Sequence, residues 1–466
     1  MSAAAGMAKE MGYEVLGSDS SKLYAPSKDV LDDFKISYTQ GYEIKNIEES
    51  KADLFVLSAG EDLQNPEVKY IYDHDLRHCS FSELLFDLFK DKLRIVITGT
   101  HGKSTTTGIL GHILKGIDNS TFLAGAVLKN YNSNFSFGDG HYAVFEGDEY
   151  KAEWDDPTPK FHYYKADILV LTNLEYDHPD VFASLEDLEK EFAEVIGNLP
   201  ADGLIVYNAD DITVSKLVHA SNVSSVSFGI DNEADYQAVD IGYGSEYTTF
   251  EVINKFSKNL SAHLLNQTEQ YKIQLPGKIN VYNALAAIAT VRALGFSQEQ
   301  IALELLSYQG VKRRFEVLGE KNGITIIDDY AHHPTAVKKT LEAAREKYFS
   351  KGSGKLWAVF EPHTFSRTAA TLPELAASFD AADDVLIAEI YPAREKVTKG
   401  GITSAEVVTA IIAHTAQLNI KNLVREVPDK AEALAIIKAE AKTGDVVVVM
   451  AVGDFNRLAY ELKDIL

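Results

Sequence analysis

The chain has 466 residues and a formal net charge of −24, because 69 acidic side chains outnumber 45 basic ones. Long-range repulsion at this charge excludes a broad binding surface for nucleic acid or anionic lipid. The single cysteine excludes an internal disulfide, and no apolar run reaches the roughly 20 residues of a membrane-spanning helix. We therefore expect a cytoplasmic protein that binds small molecules at a local site, with no nucleic-acid and no membrane partner.

Short apolar runs rich in β-branched residues alternate with helical segments along most of the chain. The clearest runs are Leu54 to Leu57, Leu93 to Thr98, Ile168 to Thr172, Gly203 to Tyr207, Thr325 to Asp328, Trp357 to Glu361, Asp384 to Ala388 and Asp445 to Met450. Near-continuous apolar strands separated by helices are typical of parallel sheets covered by helices on both faces. The pattern predicts an α/β protein.

The length and two changes of pattern predict three domains, at residues 1–90, 91–308 and 309–466. A polar segment precedes the strong strand that begins at Leu93, and a helical segment ends before the second boundary. Between about residues 222 and 275, alternating residues such as Tyr247, Phe250 and Val252 predict a small antiparallel insertion within the central domain.

The beginning of the chain departs from the usual doubly wound pattern. Residues Ser2 to Met11 predict a helix, and Tyr13 to Leu16 predict a strand. In a doubly wound sheet, a strand and a glycine-rich turn precede the first helix and form a nucleotide site at its amino end. Both are missing ahead of Ser2, so either the chain is truncated or this domain binds its ligand with fewer contacts.

A candidate phosphate-binding loop joins the predicted strand Leu93 to Thr98 to a helix. Its residues are Gly99, Thr100, His101, Gly102, Lys103, Ser104 and Thr105. Glycines let backbone amides approach phosphate oxygens, and a helix amino end adds positive potential. Lys103 can reach the outer phosphates of ATP, and the Ser104 hydroxyl suits Mg²⁺. The alternative, a capped helix that begins at a tight turn, leaves Lys103 without a role.

Acidic residues and a histidine follow two further predicted strands. Glu146 comes directly after His141 to Phe145, and Glu175 and His178 come after Ile168 to Thr172. Carboxyl ends of strands are where α/β sheets bind ligands, and Mg²⁺ prefers oxygen ligands. The two clusters predict a magnesium region beside ATP, although each residue could instead cap a helix.

The last third of the chain carries basic residues and histidines at predicted strand ends. One arginine of the pair Arg313 and Arg314 could neutralise a transferring phosphate, or the pair could be a solvated or salt-bridged feature. In the cluster that begins with Asp328 and Asp329, a carboxylate could bind a ribose hydroxyl. A pocket for a carboxylate-bearing amino acid is predicted from His332, His333, His363 and Arg367. In that pocket Arg367 would bind the carboxylate, while zinc binding by the histidines is the alternative.

Taken in order, these segments resemble the Mur ligases, which build the peptide stem of bacterial cell-wall precursors. The matching segments are Gly17 to Asp19, Gly99 to Thr106, Glu146 to Glu149, Thr172 to His178, Gly277 to Ala286, Gly310 to Phe315, Asp328 to Thr335, Pro362 to Thr368, Tyr391 to Glu395 and Gly453 to Asp454. The resemblance implies a Rossmann-like N-terminal domain for the UDP-sugar, a central P-loop ATPase domain and a Rossmann-like C-terminal domain for the amino acid.

The resemblance also implies a reaction, in which ATP and Mg²⁺ convert the carboxylate of UDP-N-acetylmuramate to an acyl phosphate that an amine attacks. The implied catalytic residues are Lys103, Glu146, His178 and Arg314, and the implied metal ligands are Ser104, Glu146 and His178. The implied ATP contacts are the loop from Gly99 to Thr105 with Asn280, Asn283, Arg314 and Asp329. The implied substrate contacts are Ser18, Asp19, His332, His333, His363 and Arg367.

Two branches of the family share parts of this pattern, so the amine is either L-alanine or a short peptide. Pro362 to Thr368 resembles the branch that adds L-alanine, whereas Asn173 to His178 resembles the branch that attaches recycled tripeptide. We favour L-alanine because the C-terminal domain usually contacts the amine in this family. A catalytically weakened nucleotide-binding regulator and a folylpolyglutamate-type synthetase are further alternatives, and the sequence leaves open a monomer or a homodimer.

Overall fold

The structure is a computed structural model that describes residues 1–23, 27–176, 181–182, 184–244, 246–256, 267–349, 353–393, 395 and 401–465. The predicted metal ligand His178 lies outside these residues. In the described part of the chain, no helix is both long enough and apolar enough to cross a membrane.

The first 90 residues form two separate pairs of parallel strands with helices around them. The elements are α1 (Ser2–Glu10), β1 (Leu16–Asp19), α2 (Ser27–Asp33), β2 (Ser37–Gln40), α3 (Ile44–Ser50), β3 (Phe55–Leu57), α4 (Pro66–Asp73), β4 (His78–Ser80) and α5 (Phe81–Phe89). Strand β1 pairs with β2, and β3 pairs with β4. The helix expected at the start is confirmed.

The strand expected at Tyr13 to Leu16 is wrong, because β1 begins only at Leu16. The amide of Tyr13 donates to the Ala8 carbonyl at 3.1 Å and so still caps α1. Gly12 then turns the chain with a φ of +92°. Helix α1 buries Met7 in the same apolar core as Phe145 of the central sheet, so the start of the chain packs against the central part.

A ten-stranded sheet forms the central part. Its elements are β5 (Leu93–Thr98), α6 (Lys103–Asp118), β6 (Thr121–Leu128), β7 (Ser133–Ser136), β8 (Tyr142–Glu146), α7 (Lys160–Tyr163), β9 (Ile168–Leu171), α8 (Leu185–Gly197), β10 (Leu204–Asn208), α9 (Ile212–His219), β11 (Ser224–Gly229), β12 (Tyr236–Tyr243), β13 (Thr248–Asn254), β14 (Gln267–Ile273), α10 (Lys278–Ala293) and α11 (Gln298–Ser307). The strand order is β14-β13-β12-β11-β10-β9-β5-β8-β6-β7.

The central sheet is parallel in its middle and antiparallel toward both ends. Strands β12, β13 and β14 pair antiparallel, which is the insertion expected from the alternating pattern. Strand β5 lies between β8 and β9 and is parallel to both. The carboxyl ends of these three strands therefore meet at one edge, where the phosphate loop begins.

A six-stranded sheet forms the last part. Its elements are β15 (Glu316–Lys321), β16 (Ile324–Asp329), α12 (Pro334–Phe349), β17 (Leu356–Phe360), α13 (Phe365–Ala370), α14 (Leu372–Ala376), a 3-10 turn (Ala377–Phe379), β18 (Asp384–Ile387), α15 (Ser404–Leu418), β19 (Leu423–Glu426), α16 (Lys430–Glu440), β20 (Val446–Met450), a second 3-10 turn (Asp454–Asn456) and α17 (Arg457–Ile465). The order is β15-β16-β20-β17-β18-β19, with only β15 antiparallel.

A short joint connects the central sheet to the last one. Val311 forms a bridge with Leu128, and the Lys312 amide donates to the Val127 carbonyl at 2.8 Å. Arg313 and Phe315 then adopt φ values of +59° and +46°. Such left-handed conformations cost a residue with a side chain on the order of 1–2 kcal/mol, so surrounding contacts must hold the joint in shape. The domain boundaries near residues 90 and 309 stay a prediction.

Candidate active site

The predicted phosphate loop exists, and its two glycines are required by geometry. Gly99 has a φ of +128°, and a Cβ there would lie 2.3 Å from the Thr172 hydroxyl oxygen. Gly102 has a φ of +83°, and a Cβ there would lie 2.4 Å from Asn283 Oδ1. Both backbone conformations favour glycine, and neither position has room for a side chain.

The strand beside the loop fixes the loop's backbone. Asn173 Oδ1 accepts the His101 amide at 2.8 Å, and its Nδ2 donates to the His101 carbonyl at 2.9 Å. The Thr100 hydroxyl donates to the Glu175 carbonyl at 2.9 Å. These supporting contacts were not predicted; the signal available was that polar residues follow a strand that would neighbour β5.

Lys103 points back into the loop and forms a buried ion pair. Its Nζ lies 2.8 Å from Glu149 Oε1, 2.5 Å from the Gly99 carbonyl and 3.2 Å from the Thr100 carbonyl. Glu149 is only 3% exposed, so the pair is largely shielded from solvent. Glu149 lies in the acidic cluster predicted for Mg²⁺, but its pairing with Lys103 was not predicted, because nothing in the spacing shows that the two side chains meet.

Ser104 and Glu146 meet at the start of α6. The Ser104 hydroxyl donates to Glu146 Oε1 at 2.9 Å, and the Gly125 amide donates to Oε2 at 2.5 Å. Burial raises the pKa of Glu146, although the Gly125 amide and the Lys103 charge oppose the shift. A hydroxyl and a carboxylate side by side next to a phosphate loop are oxygen ligands of the kind Mg²⁺ takes. The residues present therefore fit the predicted magnesium region.

The asparagines predicted to contact adenine pack beneath the phosphate loop. Asn283 is 4% exposed, and its Oδ1 accepts the Thr106 hydroxyl at 3.2 Å. Asn280 Oδ1 accepts Asn283 Nδ2 at 3.1 Å, and its Nδ2 donates to the Pro276 carbonyl at 2.7 Å. Thr105 is buried inside the first turn of α6. Asn283 thus supports the loop directly, and the adenine contacts stay a prediction.

Asp329 and Arg314 lie where the joint meets the last sheet. The two carboxylate oxygens of Asp329 accept the Phe315 and Ala331 amides, each at 2.7 Å. Burial raises the pKa of Asp329, against the opposing charge of Arg314. The Arg314 guanidinium lies 5.1 Å from the Tyr330 ring centroid. Asp329 thus holds the backbone of the joint, and ribose binding by Asp329 and γ-phosphate binding by Arg314 stay predictions.

Three of the four residues predicted for the amino-acid pocket come together. The His332 and His363 rings are 5.3 Å apart, and Arg367 Nη1 lies 3.1 Å from His363 Nδ1. Arg367 is 6% exposed, so its charge lies in a shielded position where a carboxylate would be a strong partner. Glu395, which was not assigned a role, accepts the Phe365 amide at 2.7 Å and fixes the start of the segment that carries Arg367.

The fourth residue, His333, lies elsewhere. Its ring is 4.7 Å from the His101 ring, and its Nδ1 lies 4.0 Å from Glu175 Oε2. His101 Nε2 lies 3.2 Å from the same oxygen. The hydrogen bond from His101, opposed by burial and helped by Thr335, lowers the pKa of Glu175 to about 2. His333 therefore joins the last sheet to the phosphate loop.

The two residues predicted to contact the UDP-sugar lie at the carboxyl end of β1. The Ser18 hydroxyl donates to Glu67 Oε2 at 2.5 Å. Asp19 Oδ1 accepts the Ser21 amide at 3.0 Å. Both residues are partly exposed, and they occupy the strand end at which such sheets bind ligands. Their role in substrate binding stays a prediction.

Comparisons with known proteins find relatives along nearly the whole chain. The family model of the Mur ligase middle domain matches residues 97–291, and the Mur ligase, glutamate ligase domain model matches residues 313–453. A UDP-N-acetylmuramate–L-alanine ligase of Clostridium acetobutylicum is 35% identical over 461 residues, which cover 98% of this chain and 94% of the relative. The ligase of the same name from Caldicellulosiruptor bescii is 33% identical, again over 98% of this chain and 94% of the relative.

Solved structures show the same fold. The UDP-N-acetylmuramate–alanine ligase of Thermotoga maritima aligns with a TM-score of 0.77 at 23% identity, covering 100% of this chain and 96% of that one. The murein peptide ligase of Psychrobacter arcticus aligns with a TM-score of 0.67 at 27% identity, with the same coverage. Both alignments extend over all three parts of the chain, so the three-domain α/β fold predicted from the sequence is confirmed.

Proposed function

This chain belongs to the Mur ligase family, and we propose that it uses ATP to join L-alanine to the carboxylate of UDP-N-acetylmuramate, releasing ADP and phosphate. Family membership makes the chain an ATP-dependent ligase. The relatives that match nearly its whole length are named for L-alanine, which favours that acceptor. The observation that carries the proposal is the meeting of Lys103, Ser104 and Glu146 at one sheet edge.

The proposed reaction has two chemical steps. A carboxylate oxygen of the muramoyl group attacks the γ-phosphorus of ATP, the bond to the β-phosphate oxygen breaks, and ADP leaves. The uncharged amine of L-alanine then attacks the acyl carbon, the tetrahedral intermediate expels inorganic phosphate, and the amine loses a proton. Positioning and charge stabilisation account for most of the catalysis in phosphoryl transfer, so fixed cations and amides are the groups to look for.

Residues of the phosphate loop supply those groups. Lys103 can exchange its carbonyl and Glu149 partners for the outer phosphates, because the ion pair holds its ammonium group beside the loop. Asn173 already holds the loop backbone at His101, so ATP binding requires little ordering of this part of the loop. Ser104 and Glu146 would hold Mg²⁺, which when bound neutralises phosphate charge.

The amine substrate would bind in the pocket of the last sheet. The Arg367 guanidinium would pair with the L-alanine carboxylate, and His332 and His363 would line the space around the amine. The joint at Arg313 to Phe315 would let this pocket close over the acyl phosphate, as ligases with sites built from separate domains require.

The test is a phosphate-release assay with Mg²⁺-ATP and UDP-N-acetylmuramate, compared for L-alanine, tripeptide and a folate substrate with glutamate. We expect L-alanine to give the largest stimulation, with equal amounts of ADP and amide product by mass spectrometry. Turnover with tripeptide alone would assign the chain to the murein peptide ligases, whose Psychrobacter arcticus structure it matches at full length. Stimulation by none of the acceptors would refute the ligase proposal.

A further inference from the structure

A group of three metal-binding side chains lies between the phosphate loop and the last sheet, apart from the magnesium region. His101 belongs to the loop, Glu175 follows β9, and His333 immediately precedes α12. We propose that these residues bind a divalent transition ion of the Zn²⁺ class, which links the central part of the chain to the C-terminal part.

The chemistry of the donors favours such an ion. Two imidazole nitrogens and one carboxylate oxygen are a set that suits Zn²⁺, and three protein ligands leave one position for water. Mg²⁺ instead prefers oxygen donors in an octahedral arrangement. Ser104 and Glu146 offer two such oxygen donors at the start of α6. The two sites therefore select different ions.

The geometry is close to that of a formed site. His101 Nε2 and His333 Nδ1 lie 3.2 and 4.0 Å from Glu175 Oε2, and the ligand atoms all lie within 4.8 Å of one another. Tetrahedral zinc, with bonds of about 2.0–2.1 Å to nitrogen and oxygen, keeps its ligand atoms about 3.4 Å apart. The His101 and Glu175 atoms already meet this spacing. His333 Nδ1, which accepts the Thr335 amide at 3.4 Å, would have to move closer to Glu175 Oε2 to reach it.

The surroundings hold the ligands and leave a route for the ion. The Thr335 hydroxyl donates to Glu175 Oε2 at 2.7 Å, and Asn173 fixes the backbone of His101. Outer contacts of this kind orient metal ligands and raise affinity. The side chain of Glu175 is 41% exposed, whereas those of His101 and His333 are 14% and 10% exposed. An ion can thus approach from the Glu175 side and be held between two largely shielded rings.

A bound ion would restrain the movement of the two lobes, the central part and the C-terminal part, against each other. His333 is carried by the C-terminal part, whereas the other two ligands are carried by the central part. Since the joint at Arg313 to Phe315 is the place where the lobes would turn, coordination across the gap opposes opening. This inference concerns ion binding alone and does not depend on the identity of the amine substrate.

The test is a calorimetric titration of the full chain with Zn²⁺ in excess Mg²⁺, without nucleotide or other substrate. We expect one equivalent to bind, and we expect His101→Gln, Glu175→Gln and His333→Gln each to weaken it by on the order of 100-fold, since even outer contacts are worth about 10- to 100-fold. His162→Gln is the matched control, because His162 pairs with Glu191 at 3.1 Å and no third ligand joins them among the described residues. The control should bind Zn²⁺ like the unmodified chain.

Unchanged affinity in the three variants, or equal loss in the control, would overturn the assignment, as would the absence of any bound equivalent. Circular dichroism checks that each variant is folded. Should a variant fail to fold, Co²⁺ added to the unmodified chain gives a second measurement. An intense visible band, displaced by one equivalent of Zn²⁺, supports a four-coordinate site, and the weak spectrum of a hydrated ion contradicts it.

Discussion

Asp328 is a buried carboxylate whose charge is poorly compensated, and replacing it by asparagine should stabilise the protein at alkaline pH. It is 0% exposed, and the Asn456 side chain and the Tyr460 hydroxyl lie near its oxygens without a hydrogen bond of normal geometry. The nearest cationic atom given by the structure, Arg313 Nε, is 3.7 Å away. Burial, only partly offset by Arg313, raises the pKa of Asp328 to about 7 from an ordinary value of 3.8.

The sign and size of the effect follow from proton linkage. Between the unfolded and folded pKa values, the native state keeps a proton that the unfolded state has released, so this group removes stability as the pH rises toward 7. Each pH unit in that window is worth about 1.4 kcal/mol. Between about pH 5.5 and about pH 8.5, only the roughly 1.5 units below the folded pKa contribute. The stabilisation by Asp328→Asn should therefore be about 2 kcal/mol larger at the higher pH.

Urea unfolding followed by the fluorescence of Trp357 measures this difference. Trp357 is buried in the same sheet, and Trp154→Phe removes the other tryptophan. A gain of about 2 kcal/mol corresponds to roughly 4 to 8 °C in the melting temperature of a domain this large. Asp384→Asn is the matched control, because Asp384 is equally buried but paired with Lys355 at 2.8 Å. The Asp384→Asn control should lower the free energy of unfolding at both pH values.

A result in which Asp328→Asn changes stability equally at both pH values would refute the reasoning, since an unshifted carboxyl does not titrate in this range. A destabilisation that grows with pH would also refute it, because that outcome requires an ionised and well-paired Asp328. The control guards against a general effect of pH on the domain.

Three further predictions concern activity. Lys103→Ala should abolish turnover and leave circular dichroism unchanged; near-normal activity would remove the phosphate-loop assignment. Arg367→Ala should raise the KM for the amino acid by at least about tenfold with a smaller change in kcat, since a charge-assisted pair is lost next to His363; an unchanged KM would contradict the pocket. Gly102→Ala should weaken ATP binding, measured by calorimetry, because its Cβ would lie 2.4 Å from Asn283 Oδ1; normal binding would show that the loop can relax.

Local patterns predicted the strand and helix around the phosphate loop, because their signals are carried by neighbouring residues. The strand Leu93–Thr98 has the bounds that the apolar run indicated, and α6 begins at Lys103. The antiparallel insertion was also visible, since alternation along β13 is a property of that strand alone. Family resemblance then supplied the order of the three domains.

Contacts between distant segments could not be predicted in the same way. Two adjacent histidines in one motif face different partners, with His332 beside His363 and His333 beside His101. The sequence gives no indication of this division, because it depends on how the C-terminal part sits on the central part. The pairing of Lys103 with Glu149 likewise depends on the approach of β8 to the loop.

The short joint has a consequence for how often the two lobes meet. The Lys312 amide donates a hydrogen bond to the Val127 carbonyl. Arg313 and Phe315, which have left-handed backbone conformations, follow directly. Arg314 follows Lys312 by only two residues, so it stays close to the central sheet. This short connection sets the effective concentration of the Arg314 guanidinium near the phosphate loop. Short linkers give effective concentrations on the order of millimolar. In the proposed reaction, the approach of Arg314 to the loop would then be a rotation about the joint and not a search through solution.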